Sequence, residues 1–236
     1  ERWRMLLLGG ASRRLCRSAR CLSSSSLNAD ACDVLVVGGG VVGSSVAYHL
    51  ARARGSGAGI VVVERDRTYA NASAVLSAGG IRQQFSLLEN VQMSVYGIDF
   101  VKNATSLLEV EGESGDDLQF QENGYLFLAS SEAGKAALLR NHETQREAGV
   151  DWMQLLSPEE LSIRFPWLST DDVTLGSLGT ANEGWFDPWA LLRGMRRKAT
   201  SLGVRYIDGE PTSASRDGAR VAAVDIACAD GGSLRL

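Results

Sequence analysis

Residues 33–64 read DVLVVGGGVVGSSVAYHLARARGSGAGIVVVE, and the order of residue types along this stretch decides the fold. Val34 to Val37 form a short apolar run rich in β-branched residues, which predicts a parallel strand buried on both faces. The run ends in glycines and then turns helical. Gly38, Gly40 and Gly43 fit G-x-G-x-x-G: the first permits a tight turn, the second lets a pyrophosphate approach the backbone, and the third lets helix and strand pack closely. An anion would sit on the N-terminus of the helix, where amide N–H groups lack partners. A second apolar strand, Ile60 to Val63, closes on Glu64, whose carboxylate is placed to accept hydrogen bonds from ribose hydroxyls. Strand, glycine turn, helix, strand and terminal acid together predict a dinucleotide site. An acid rather than an arginine at that tip disfavours a 2′-phosphate, and FAD and NAD both remain open.

Upstream, residues 1–28 contain six arginines (Arg2, Arg4, Arg13, Arg14, Arg17 and Arg20), a serine run from Ser23 to Ser26, and one acid, Glu1. An Arg-rich, Ser-rich, acid-poor segment reads as a mitochondrial transit peptide cleaved near Cys21 to Leu27, with a disordered basic tail as the alternative. Over all 236 residues the formal charge is −4. Without residues 1–28 the chain holds 18 basic and 27 acidic residues, a net −9, so no basic stripe argues for nucleic acid. Cys16, Cys21, Cys32 and Cys228 show no C-x-x-C spacing, and only His49 and His142 are available, so neither a disulfide framework nor a metal site is expected. The longest early apolar run, Met5 to Leu8, is far too short for a membrane span, which leaves at most peripheral membrane association.

Downstream of Glu64 lies RDRTYANASAVLSAGGIRQQFS, a long stretch of small, polar and glycine residues. Ala72, Ser73, Ser77, Ala78, Gly79 and Gly80 would let the backbone run close against a bulky flat ligand and donate N–H bonds to it. The same composition suits a flexible surface loop. Leu87 to Leu108 then predicts one long helix, and Asp116 to Gln121 with Tyr125 to Leu128 a hairpin about Gly124. Glu132 to Glu147 predicts an amphipathic helix, and Ser157-Pro158-Glu159-Glu160 a helix start with Pro in its first turn and a Ser and a Glu at capping-box spacing. Asp187-Pro188 repeats that device for a helix running to about Leu202, whose Arg193, Arg196, Arg197 and Lys198 read as a solvated face, with a partner-binding patch as the alternative. Trp185, Phe186 and Trp189 cluster around its start, where core packing is the commoner role of aromatics and shaping a substrate pocket the other. Val204 to Ile207 predicts a third parallel strand, and Ala219 to Cys228 with Ser233 to Leu236 a hairpin around Asp230-Gly231-Gly232.

GGGVVG, the ERD after the second strand, the SAGGIRQQF segment, ENGYLFLAS at 122–130 and EGWFDPWALLRGMRRKATSLGV at 183–204 together resemble the D-amino-acid oxidase and sarcosine oxidase family of FAD enzymes. SAGGIRQQFS, FPWL and EGWFDPW are similar to a mitochondrial branch of that family associated with respiratory complex I assembly. The resemblance implies an α/β fold: a Rossmann-like FAD-binding domain interleaved with a partial mixed α+β substrate domain. Residues 29–86 would form the first part of the FAD-binding domain, 87–182 the substrate-domain part and 183–236 the second FAD-binding part. It implies an FAD-dependent oxidoreductase acting on an amine or hydroxy-acid substrate, with complex I subunits as partners. A non-catalytic, flavin-containing assembly factor is the alternative.

Carried over by position, the resemblance puts Gly38, Gly40 and Gly43 at the ADP pyrophosphate and Glu64 with Arg65 at the adenosine end. Ser73, Ser77, Gly79 and Gly80 fall at the flavin end, with Arg82 as the catalytic candidate because a cation beside the isoalloxazine stabilises negative charge. Some relatives attach FAD through a histidine in this segment. Here Leu76 holds that place, which implies non-covalent FAD.

Overall fold

A computed structural model describes residues 31–236, so the Arg- and Ser-rich leader lies outside the described residues. In chain order the elements are β1 (Val34–Val37), α1 (Val41–Arg54), β2 (Ile60–Glu64), β3 (Gly80–Ile81), α2 (Leu88–Lys102), α3 (Ala104–Leu107), β4 (Tyr125–Ala129) and α4 (Glu132–Glu147). There follow β5 (Met153–Leu156), α5 (Pro158–Arg164), β6 (Leu175–Gly179), β7 (Gly184–Trp185), α6 (Pro188–Ser201), β8 (Arg205–Asp217), β9 (Arg220–Cys228) and β10 (Ser233–Arg235).

Three sheets organise them. The largest has the order β1-β2-β8-β9-β10. β1, β2 and β8 run parallel, with Val34 opposite Ile60 and Val61 opposite Arg205, as the valine-rich patterns require. A small sheet pairs β3 with β7, and a three-stranded antiparallel sheet has the order β4-β6-β5. The first sheet thus draws on residues 34–64 and 205–235, and the third on 125–179, an interleaving of α/β and α+β parts.

One apolar core joins the first sheet and β3 to α1, α2 and α6, and a smaller one of Val91, Val150 and Met153 packs α2 against the start of β5. Ala47, Tyr48 and Ala51 of α1 pack with Ile60 and Val62 of β2, with Ala190, Met195 and Ala199 of α6, and with Ile98, Phe100 and Val101 of α2. Small residues on α1 and α6 let the two helices approach closely against the strands. Gly55, left-handed at φ 70°, ends α1 by donating its N–H to the Arg52 carbonyl. Among the described residues no helix is long and apolar enough to cross a membrane.

Several local predictions hold at residue level. Ser157 and Glu160 form the reciprocal capping box that starts α5. The Asp187 carboxylate accepts from the N–H groups of Trp189 and Ala190 at the start of α6. Other expectations are corrected. No hairpin forms about Gly124: β4 pairs with β6, and Gln121 bridges Trp185 instead. The single helix expected over 87–108 breaks at Asn103, whose side-chain amide donates to the Asp99 carbonyl and competes with the helical ladder. β1 is not buried on both faces. It ends the sheet as described, and Val37 is 64% exposed. Trp185 and Trp189 are also partly exposed, and of that aromatic trio only Phe186 packs against the core.

β8 is much longer than its predicted four residues. It pairs parallel with β2 up to Asp208 and then antiparallel with β9 from Gly209. A side chain at Gly209 would come within 2.6 Å of the Ala227 carbonyl, so glycine is needed where the strand changes partner. That change of partner falls at the carboxyl ends of the parallel strands, where ligands bind in open α/β sheets.

Candidate functional site

The carboxyl ends of β1, β2 and the parallel part of β8 surround a cavity of about 660 Å³. Val37, Gly38 and Gly40 form one wall, Val63, Glu64, Arg65 and Asp66 another, and Tyr69, Asn71, Ala72 and Gly209–Pro211 complete it. Gly38 takes φ 92°, a conformation open to glycine, and its N–H donates to the Val63 carbonyl at 2.8 Å. That bond pulls the turn over the end of β2. Gly40 caps α1 without any side-chain hydrogen bond, so no side chain satisfies the first amides of the helix.

Glu64 is held from both sides. Its Oε2 accepts the Gly39 N–H at 2.7 Å and its Oε1 accepts the Asp66 N–H at 2.8 Å. Each carboxylate oxygen retains capacity for a further donor, as a ribose diol requires. Behind the turn, Ser44 donates its hydroxyl to the Gly39 carbonyl at 2.8 Å, and Tyr206 donates to Ser44 at 3.1 Å. This side-chain chain braces a turn that is otherwise all backbone.

Two observations test whether these residues fit an ADP-bearing group. A Cβ added at Gly38 or Gly40 would meet nothing within 4 Å, so both glycines leave the cavity side of the turn clear. The Tyr69 hydroxyl is buried without a hydrogen-bond partner, and it lies 3.3 Å from where a Cβ on Gly39 would stand. A polar ligand over the glycine turn would supply the missing partner. The residues fit.

The structure brings Gly38, Gly40, Glu64 and Arg65 together on this cavity and places the other candidates elsewhere. Gly43 faces away, since its Cβ would overlap the Gly38 carbonyl and crowd Val36. Arg65 lies on the exposed rim, 3.7 Å from Glu210. Ser77 accepts the Gly79 N–H at 3.0 Å within its own turn, and Ser73 is exposed. Gly79 (φ 69°) accepts the Phe186 N–H at 3.0 Å, and Gly80 pairs with Trp185, which together join the segment to the start of α6.

Arg82 begins a second cluster. Its guanidinium carbon lies 5.1 Å from the ring centre of Phe85, 5.3 Å from Tyr125 and 5.5 Å from Phe127, an aromatic box that fixes the cation. The next two residues grip Glu183, which is fully buried. The Gln83 N–H donates to Glu183 Oε1 at 2.6 Å, and Gln84 Nε2 donates to Oε2 at 2.8 Å. Gln84 Oε1 in turn accepts from the Ser177 hydroxyl at 2.7 Å, and Gln83 Oε1 from the Trp152 indole N–H at 3.2 Å. Burial pushes the Glu183 carboxyl up from its ordinary value of 4.5, while the bonds from Gln84 and Gln83 and the Arg82 cation pull it down.

Sequence reasoning missed Tyr69, Gly209 to Pro211, Glu183, Gln83 and Gln84. Gly209 follows the third parallel strand, so the rule of carboxyl-end binding was the signal that could have found it. No periodicity marks Glu183, whose partners lie about a hundred residues away. Among the described residues no group of three or more His, Cys, Asp or Glu is placed to hold a metal ion.

Comparison with known proteins follows the same lines. The family model described as FAD dependent oxidoreductase (DAO) matches residues 33–234. The FAD-dependent oxidoreductase domain-containing protein 1 of Bos taurus is 51% identical over 191 residues, covering 80% of this chain and 39% of that protein. The mitochondrial sarcosine dehydrogenase of Homo sapiens is 28% identical over 186 residues, covering 78% and 19%. Among solved structures, L-proline dehydrogenase from P. horikoshii superposes with a TM-score of 0.70 at 24% identity, covering 87% of this chain and 51% of that one, which shows the fold. The chain therefore spans 39% of the bovine relative's length.

Proposed function

This chain belongs to the DAO family of FAD dependent oxidoreductases, and from that premise we propose that it forms the nucleotide-holding part of an enzyme that removes hydride from a carbon bearing an amine or a hydroxyl. The observation that carries this reading is the single cavity in which the glycine turn, Glu64, Tyr69 and Gly209–Pro211 meet at the strand ends. The N-terminus of α1 and the clear face of the turn hold the pyrophosphate, and Glu64 holds the ribose hydroxyls. FAD supplies the two-electron chemistry when bound. The chain supplies position and charge. Arg82, fixed by its three rings, offers a cation to negative charge that develops during reaction, and Glu183 with Gln83 and Gln84 holds the segment that carries it. Residues 71–86 contain no histidine or cysteine, which supports non-covalent FAD.

The proposal extends to a mitochondrial protein with at most peripheral membrane contact, serving respiratory complex I assembly in contact with its subunits. The leader composition and the mitochondrial sarcosine dehydrogenase relative support the location. The sequence likeness through SAGGIRQQFS, FPWL and EGWFDPW supports the assembly role.

The test uses the full-length protein. It should purify yellow, release flavin on denaturation, and lose its flavin absorbance when mixed anaerobically with one member of a panel of amines and hydroxy acids. Arg82→Ala should keep its FAD and slow that bleaching by about a hundredfold, the usual cost of one transition-state donor. Colourless protein that binds NAD would overturn the reading. So would FAD-loaded protein that no amine or hydroxy acid bleaches. In cells, normal complex I assembly supported by folded, FAD-loaded Arg82→Ala would separate any assembly role from catalysis.

A further inference from the structure

A second pocket, of about 560 Å³, shares Tyr69 with the nucleotide cavity and is otherwise lined by residues which that cavity does not use. Arg193, Arg196, Arg197, Thr200 and Ser201 present one face of α6 to it, at the three- and four-residue spacing of a helical stripe, and Arg67 joins them from the loop after β2. The sequence reads those arginines as a solvated face. The structure gathers them around a cavity instead.

Not all of that charge is neutralised. Arg67 pairs with Asp208, and Arg193 with Asp116 at 3.0 Å. Arg196 and Arg197 form no ion pair among the described residues. Arg196 lies over the Tyr69 and Tyr206 rings, 6.0 and 5.6 Å from their centres, so its planar group is held in place. Arg197 donates Nη2 to the Ser114 carbonyl at 3.1 Å, and its Nε is buried without a hydrogen-bond partner. The one acid lining the pocket is Glu111.

The apolar part of the lining is the partly exposed Trp189, one turn before Arg193 on the same face of α6, together with Val110. Backbone strain lies beside it. Tyr69 at φ 55° and Glu111 at φ 54° are two of the four non-glycine residues with positive φ among those described, and both line this pocket. Such strain persists where surrounding structure imposes it, often at ligand sites.

We propose that this pocket binds a small organic anion, with its acid group on Arg196 and Arg197 and a flat apolar body against Trp189 and Val110. A guanidinium pair suits a planar carboxylate or a phosphate, and the tryptophan face suits a ring.

The experiment is calorimetric titration of FAD-saturated full-length protein with phenyl phosphate, benzoate and inorganic phosphate, the bound FAD keeping the first cavity filled. Phenyl phosphate or benzoate should bind one to one without releasing FAD, and the stronger of the two identifies a phosphate or a carboxylate ligand. Inorganic phosphate, which lacks the ring, should bind about tenfold more weakly or worse. Arg196→Met keeps the stem over both tyrosines and removes the charge, and should weaken binding by about tenfold or more. Thr200→Trp, at an exposed position, fills the pocket and should abolish binding with FAD content unchanged. Absence of binding by both organic anions overturns the proposal, as does binding that displaces FAD or survives both substitutions.

Discussion

The two ends of the ligand region are built by opposite means. At the glycine turn the binding groups are backbone amides and a carboxylate supplied by thirty-two consecutive residues, 33–64. At Arg82 and Glu183 the groups are side chains, and the bonds that join them span 93 to 100 residues of chain. The first end is a local motif that neighbouring strands frame. The second exists only after β4, β6 and β7 have assembled around it. A backbone site tolerates many side chains at positions that face away and none at a few that face in, whereas a side-chain cluster depends on every partner.

That contrast predicts a ranking of substitutions. Gly43→Val should have the largest effect, because its side chain would overlap the Gly38 carbonyl at the closest contact of helix and strand. A loss of about 3 kcal/mol is expected from such overpacking, read as a lowered urea midpoint together with loss of FAD. A stable, FAD-loaded Gly43→Val protein would break the account of the turn.

Glu183→Ala comes next. It leaves the Gln83 N–H and one Gln84 N–H buried without acceptors, at a cost of about 2 kcal/mol. The urea midpoint should fall while the pyrophosphate end remains able to hold an ADP fragment. Loss of ADP binding by a still-folded variant would show that the two ends are not separable.

Gly40→Val sharpens the comparison from the other side. Its φ of −62° suits any residue and its side chain would enter open space, so stability should stay within about 0.5 kcal/mol. FAD affinity, measured by fluorescence titration, should fall by about tenfold or more because the side chain occupies the path of the pyrophosphate. The turn thus separates folding from binding within four residues of one motif.

The smallest effect is a pH dependence. Burial favours the neutral form of Glu183 in the folded chain, so the stability it contributes is present below its ordinary value of 4.5 and lost as pH rises through its raised folded value. Glu183→Gln stays neutral throughout. Its melting temperature relative to the parent should climb as pH rises from 4.5 towards neutrality and then level off. A difference that stays flat over that range would mean that the Arg82 cation and the two donated bonds outweigh burial.

Legibility follows the same division. The parallel strands at Val34 and Ile60, the α5 capping box and the Asp187 cap are all visible in sequence, because a short run of residues satisfies its own backbone groups. The expected hairpin about Gly124 fails for the converse reason. Tyr125–Ala129 has strand character, but strand character does not name a partner, and the partner proves to be Leu175–Gly179 some fifty residues later. Arg193, Arg196 and Arg197 read as solvated because helical spacing says which residues share a face, not what stands opposite.

By itself, then, the sequence determined the βαβ unit, its glycine turn and its acid at Glu64, since each of these depends on φ/ψ preferences and hydrophobic period within a few residues. Only the tertiary structure decided that Tyr69 and Gly209–Pro211 close the nucleotide cavity, that Glu183 is buried against Gln83 and Gln84, and that the α6 arginines line a pocket. Those outcomes depend on which distant segments meet, and the free energy that chooses among such meetings comes from burial shared by the whole core.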